Sequence, residues 1–222
     1  MSKSREKVQN QPVLIKVDSL SLEGNLSIPE GAKAIVLFAH GSGSSRFSPR
    51  NNYVASILQR SHLATLLFDL LSPEEEEIDL RTRHLRFDIK LLAERLVGAT
   101  DWLKQNSRLG NFPIGYFGAS TGGGAALVAA VQRPQDVGAV VSRGGRPDLA
   151  GAALGFVRSP TLLIVGGNDL PVIALNEDAF RQIKAPKKLE IVPGATHLFE
   201  EAGALERVAI LASQWFQQYL IE

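Results

Sequence analysis

The pentapeptide Gly118-Ala119-Ser120-Thr121-Gly122 fits the pattern G-x-S-x-G. The apolar run Pro113 to Phe117 precedes it, and a segment rich in Gly and Ala, Ser120 to Gln132, follows. A strand that turns sharply into a helix is the setting in which this pattern presents a serine hydroxyl as a nucleophile. Gly118 and Gly122 let the two elements approach closely, and Gly123 and Gly124 extend that tolerance. Ser120 then projects from the tip of the turn, near the positive end of the helix. The plain alternative is a Gly-rich turn with an incidental serine; the strand before and the helix after favour the chemical reading.

A serine nucleophile needs a base, and the chain has four histidines. His62 falls between a helix and a strand, and His84 opens a helix beside a charged segment, so both read as surface positions. His197 and His40 follow strands. His197 stands on the loop Pro193-Gly-Ala-Thr-His-Leu-Phe199, which can reach across to the serine, and is the expected general base. The base needs an orienting carboxylate. Asp169 follows the apolar run Thr161 to Val165, and the order Ser, Asp, His is the one expected for a sheet of this kind. Asp69 precedes the serine and reads better as a loop cap; Asp148 is a weaker third candidate.

The oxyanion formed on attack needs backbone N–H donors. One is expected from Thr121, directly after the nucleophile. The other is expected from the small-residue loop His40-Gly-Ser-Gly-Ser-Ser45, with Ser42 the first choice and Gly43 next. Arginines follow strands on the same edge: Arg46 and Arg50 after one, Arg143 and Arg146 after another. Arg143, Arg146 and Arg46 are candidates for holding a carboxylate or phosphate on the substrate. Their alternative is surface solvation, or pairing with Glu74 to Glu77. That acidic run reads as a solvated loop offset by Arg81, Arg83 and Arg86.

Elements that would position these residues can be traced along the chain. Val13 to Val17 and Leu20 to Ile28 alternate apolar and polar residues around Asp18-Ser19, as an antiparallel hairpin does. Then comes the unbroken apolar run Ala34–Ala39, typical of a strand buried on both faces, followed by further strands at Ala64–Phe68, Pro113–Phe117, Gly138–Val141, Thr161–Val165 and Leu189–Val192. Helices are expected near Asn51 to Arg60, His84 to Asn106 and Ser120 to Gln132, with a last one carrying Leu205, Val208, Leu211, Trp215 and Tyr219. Strands alternating with helices predict an α/β fold, a doubly wound and mostly parallel sheet with the hairpin at its edge. Ligands bind such sheets beyond the carboxyl ends of the strands, where the residues above fall. The connection between Ser142 and Thr161 is too short for a lid domain, so the site is expected to be open.

Composition narrows the partners. With 24 basic and 23 acidic residues the net charge is +1, too little for a broad nucleic-acid footprint. There is no cysteine, which excludes thiolate chemistry, disulfides and Cys-ligated zinc. No apolar stretch is long enough to cross a bilayer, and the N-terminus has no secretory h-region. The expectations are a cytoplasmic protein, a tail over residues 1–12, and a single domain over 13–222, with no metal or cofactor required.

The segments His40-Gly-Ser-Gly43, Gly118-Ala-Ser-Thr-Gly122, Gly167-Asn-Asp169 and Gly194-Ala-Thr-His197 occur in order. In these the chain resembles the dienelactone-hydrolase-like branch of the α/β-hydrolase superfamily, from about residue 13 to 220. The resemblance implies the α/β-hydrolase fold and a triad of Ser120, Asp169 and His197. Dienelactone hydrolases proper use a cysteine nucleophile, so the dienelactone substrate is not carried over. Similar domains occur joined to phosphoribosyltransferases, but no phosphoribosyl-binding loop is found here.

The sequence offers two other readings. Gly41 and Gly43 after a strand, with Asp69 ending the next, mimic a dinucleotide-binding site; Arg46 at the third glycine position and the preceding hairpin oppose it. A non-catalytic binding or accessory protein on the same fold is the alternative to an enzyme. The expected activity is a serine hydrolase cleaving a small ester by two-step acyl transfer, with an anionic ester favoured if the arginines hold it.

Overall fold

The computed structural model describes residues 8–222. Eight strands form one sheet in the order β1-β2-β4-β3-β5-β6-β7-β8. They are β1 (Val8–Val17), β2 (Leu20–Pro29), β3 (Ala34–Ala39), β4 (Leu63–Phe68), β5 (Ile114–Ala119), β6 (Val137–Arg143), β7 (Thr161–Gly166) and β8 (Lys187–Val192). β2 pairs antiparallel with both β1 and β4, and all remaining pairings are parallel. The expected mostly parallel α/β sheet with an N-terminal antiparallel hairpin is what the chain forms.

Helices cover both faces, as a parallel sheet requires. β3 shows the arrangement: Ile35, Leu37 and Ala39 face one core, Ala34, Val36 and Phe38 the other. The first core is closed by α3 (Ile89–Lys104), α4 (Thr121–Gln132) and, at Ala179, α5 (Leu170–Gln182). The second is closed by α1 (Pro49–Arg60) and α6 (Ala204–Leu220). The short β6–β7 connection holds a run of 3-10 turns, Pro147–Phe156, broken at Gly151. Among the described residues no helix is long and apolar enough to cross a membrane.

Three expectations change. β1 begins at Val8, not Val13, so residues 8–12 belong to the sheet and not to a tail. Residues 9–12 are exposed, which removes the alternation that marks a strand. Pro12 is tolerated there because β1 is an edge. The tail expected over residues 1–7 lies outside the described residues.

The segment expected as a solvated acidic loop is instead a helix, α2 (Pro73–Thr82). Ser72 and Glu75 form a reciprocal capping box, with Pro73 in the first turn. Only Asp79 is buried on α2, so no apolar stripe announces it. Of the arginines expected to offset the run, Arg86 reaches Asp79, while Glu75 takes Arg95.

The third helix is shorter than its apolar stripe. Leu85–Phe87 is a separate 3-10 turn, and the Asp88 side chain caps α3 by accepting from Leu91 N–H at 3.0 Å. Asp79 fixes this joint. Its carboxylate accepts from Leu85 N–H (2.8 Å), Arg86 N–H (3.2 Å) and Arg86 Nε (2.5 Å). Breaking a buried, multiply bonded ion pair is costly, so Asp79→Asn should lower stability by about 3 kcal/mol in urea unfolding. A loss under about 0.5 kcal/mol, the range of a neutral surface change, would show that α2 does not depend on it.

Candidate active site

Ser120 lies between β5 and α4 with φ 53° and ψ −122°. A residue other than glycine held in so sparse a region costs on the order of 1–3 kcal/mol. Backbone hydrogen bonds hold it: Ser120 N–H donates to Arg143 O (3.2 Å), and Ser120 O accepts from Gly123 N–H and Arg146 N–H (both 3.0 Å). The turn is also crowded. A Cβ on Gly122 would lie 2.1 Å from Ala39 O, and one on Gly118 2.4 Å from Gly122 O. Glycine is required at both positions by contact with backbone, which a side chain cannot push aside.

His197 follows β8 and Asp169 follows β7. The His197 Nδ1 group lies 2.6 Å from Asp169 Oδ2. Asp169 stands at the start of α5 but makes no side-chain cap; its carboxylate goes to the histidine. The loop that carries His197 is tied to β7, with Asn168 N–H donating to Ala195 O and Asn168 Nδ2 to Gly194 O, both at 2.9 Å. The other carboxylate candidates are engaged elsewhere. Asp69 pairs with the Arg46 guanidinium and accepts from Arg46 N–H, as a loop cap does. Asp148 pairs with Arg146 at 2.7 Å.

Ser120 and His197 line one cleft of about 250 Å³, together with Ser42, Arg50, Asn51 and Arg143. Among the described residues no hydrogen bond joins Ser120 to His197, a common condition of catalytic hydroxyls before substrate arrives. Neither Ser42 N–H nor Thr121 N–H donates to an acceptor among the described residues. Gly41 brings the first of these close, since a Cβ on it would lie 3.1 Å from Ser120 Cβ.

His40 braces this loop from below. It is buried, its Nε2 accepts from Leu70 N–H (3.1 Å), and its Nδ1–H therefore points to Gly41 O (3.0 Å). The ring joins the end of β3 to the end of β4 only while Nε2 is unprotonated. Burial lowers its pKa, against smaller opposing effects of the Gly41 hydrogen bond, Asp69 and Glu76.

The arginines sort differently from expectation. Arg46 is spent on Asp69 and Glu23 and faces a second cavity of about 200 Å³ across the loop. Arg146 is spent on Asp148. Arg143 is buried and reaches the Ser120 cleft, and Arg50 joins it there. Asn51 and Ser48, which also line that cleft, carried no motif that would single them out.

The sheet order, the crossovers and the strained serine turn define a protein of the α/β-hydrolase fold. The model of the dienelactone hydrolase family matches residues 53–220, and the chain belongs to that family. It is 68% identical to dienelactone hydrolase from Anabaena variabilis, covering 96% of this chain and 99% of that one, with a TM-score of 0.95. It shares the fold of Est1E from Butyrivibrio proteoclasticus at a TM-score of 0.79 and 17% identity, over 95% of this chain and 99% of that one. A Mycobacterium tuberculosis protein provisionally named a phosphoribosyl transferase is 54% identical over 213 residues, 96% of this chain and 47% of that protein. The chain thus spans about half the length of the curated relatives it matches.

Ser120→Gly should raise the unfolding free energy by about 1 kcal/mol by relieving the backbone, seen as a higher urea midpoint. For His40, the folded pKa lies below the ordinary 6.5, so the unfolded chain takes up the proton first. Stability from this group is complete above pH 6.5 and falls as pH drops toward the folded value. His40→Gln should remove up to one proton from the pH slope of the urea midpoint; an unchanged slope would show that His40 is not the group responsible.

Proposed function

We propose that the chain is a serine hydrolase that cleaves small carboxylic esters through an acyl-enzyme on Ser120. The observation that carries this reading is the 2.6 Å contact of Asp169 with His197, which lines the same cleft as Ser120. His197 takes the Ser120 proton through Nε2 while Ser120 Oγ attacks the ester carbonyl. The Ser42 and Thr121 N–H groups hold the oxyanion. Collapse of the intermediate expels the alcohol, which receives the proton from His197. Water, deprotonated in turn by His197, then releases the acid and restores Ser120. Asp169 fixes the ring and balances the imidazolium.

The absence of a lid domain between β6 and β7 leaves the cleft open, which suits small or exposed esters.

A fluorophosphonate probe should label the wild type and fail to label Ser120→Ala. Asp169→Asn should lower kcat by roughly 10⁴-fold with the fold retained by circular dichroism. Short p-nitrophenyl esters should be hydrolysed faster than long ones. Absence of labelling in a folded wild-type protein would favour a binding module over an enzyme.

A further inference from the structure

Arg143 ends β6 and is 6% exposed. Its Nε is sealed from solvent with no acceptor, and its Nη2 donates to Asn51 Oδ1 at 3.2 Å. Nη1 has no acceptor among the described residues. Burial, with the charge of Arg50 behind it, pushes this guanidinium down to about 10, which still leaves it cationic at neutral pH.

Arg50 stands on the same cleft at the second position of α1. Its Nε is likewise buried without an acceptor. Its Nη1 reaches Glu200 at 3.2 Å, but the Glu200 side chain is 65% exposed, so water screens much of that pairing. No carboxylate lines the cleft between the two cations. Holding like charges together in a partly dry cleft is unfavourable unless an anion joins them.

The start of α1 points the same way. Ser48 caps the helix, and Ser48, Arg50 and Asn51 all line the cleft. Arg50 N–H has no acceptor among the described residues. Pro49 has no N–H and Asn51 N–H is taken by Ser48 Oγ at 3.3 Å, so Arg50 N–H is the donor left at this helix start, where the dipole also favours an anion.

The charge of the cleft distinguishes between anions. Asn51 takes one hydrogen of Arg143 Nη2 and Glu200 one of Arg50 Nη1, so each guanidinium keeps further N–H donors. Two cations with no carboxylate among the lining residues match a dianion better than a monoanion. A phosphomonoester, with a charge of about −1.5 to −2 and three terminal oxygens, supplies that where a carboxylate does not.

We infer that Arg143, Arg50 and the start of α1 form a phosphate subsite, and that the ester cleaved at Ser120 carries a phosphomonoester group. The substrate half of this inference rests on the proposed role of Ser120; the subsite itself does not.

The test separates the two. Inorganic phosphate is titrated into Ser120→Ala by calorimetry at fixed ionic strength. Saturable binding is expected, weakened at least about tenfold by adding Arg50→Ala or Arg143→Gln, as loss of a charge-assisted bond implies. Arg146→Ala, whose guanidinium is tied to Asp148, should leave it unchanged. The wild type is then assayed on three esters that differ only in bearing a phosphate, a carboxylate or a hydroxyl group. The phosphate ester should be preferred by roughly tenfold or more in kcat/KM, and Arg50→Ala should abolish the preference. No phosphate binding, or binding indifferent to both arginine variants, overturns the subsite. A carboxylate ester that matches or exceeds the phosphate ester overturns the choice of anion. Phosphate binding without fluorophosphonate labelling keeps the subsite and overturns the role of Ser120.

Discussion

The backbone at Ser120, φ 53° and ψ −122°, is the constraint on which the site depends. A side-chain-bearing residue does not hold that conformation unaided. It is held because β5 runs into α4 with no intervening loop, and because the elements beside it press in closely. Gly122 lies against the carbonyls of Ala39 and His40, and Gly123 against Ser142. Substituting bulk at the start of α4 would push away the ends of β3 and β6 together. Those ends carry the Ser42 loop and Arg143, so the contacts that strain the serine are also the contacts that gather its neighbours.

The parallel sheet does the rest. Ser42, Ser120, Arg143, Asp169 and His197 follow or end β3, β5, β6, β7 and β8, which are consecutive neighbours in the sheet. Parallel strands return through crossovers, so their carboxyl ends all emerge on one edge. Residues far apart in sequence meet there without a long loop. The histidine loop is tied down by Asn168, one residue before Asp169, so the acid and the base are positioned by the same short stretch.

How much of this could be read from the sequence depended on burial. β3 to β7 were legible because burial on both faces leaves unbroken apolar runs. The first part of β1 was not, since residues 9–12 bury nothing and the ladder to β2 alone makes them a strand. α2 escaped for a similar reason: its capping signals, Ser72-Pro73 with Glu75, are in the sequence, but a helix that buries only Asp79 has no periodicity. At the site, strand order was enough to bring Asp169 to His197 and to leave Asp69 as a cap. It could not sort the arginines. Which guanidinium finds a carboxylate is decided by side-chain reach across the sheet edge, from Arg46 to Asp69 and from Arg146 to Asp148, and sequence spacing does not encode that.

That sorting bears on the histidine as well. Two cations, Arg50 and Arg143, share the cleft with His197, and Gly144, next to Arg143, lies against the His197 backbone. In the proposed mechanism His197 becomes a third cation each time it takes the serine proton. Asp169, 2.6 Å away and largely shielded from water, supplies the opposing charge where it acts most strongly. In the proposed mechanism the carboxylate balances the imidazolium as well as orienting the ring, and an anionic substrate seated on the arginines would add negative charge from the other side.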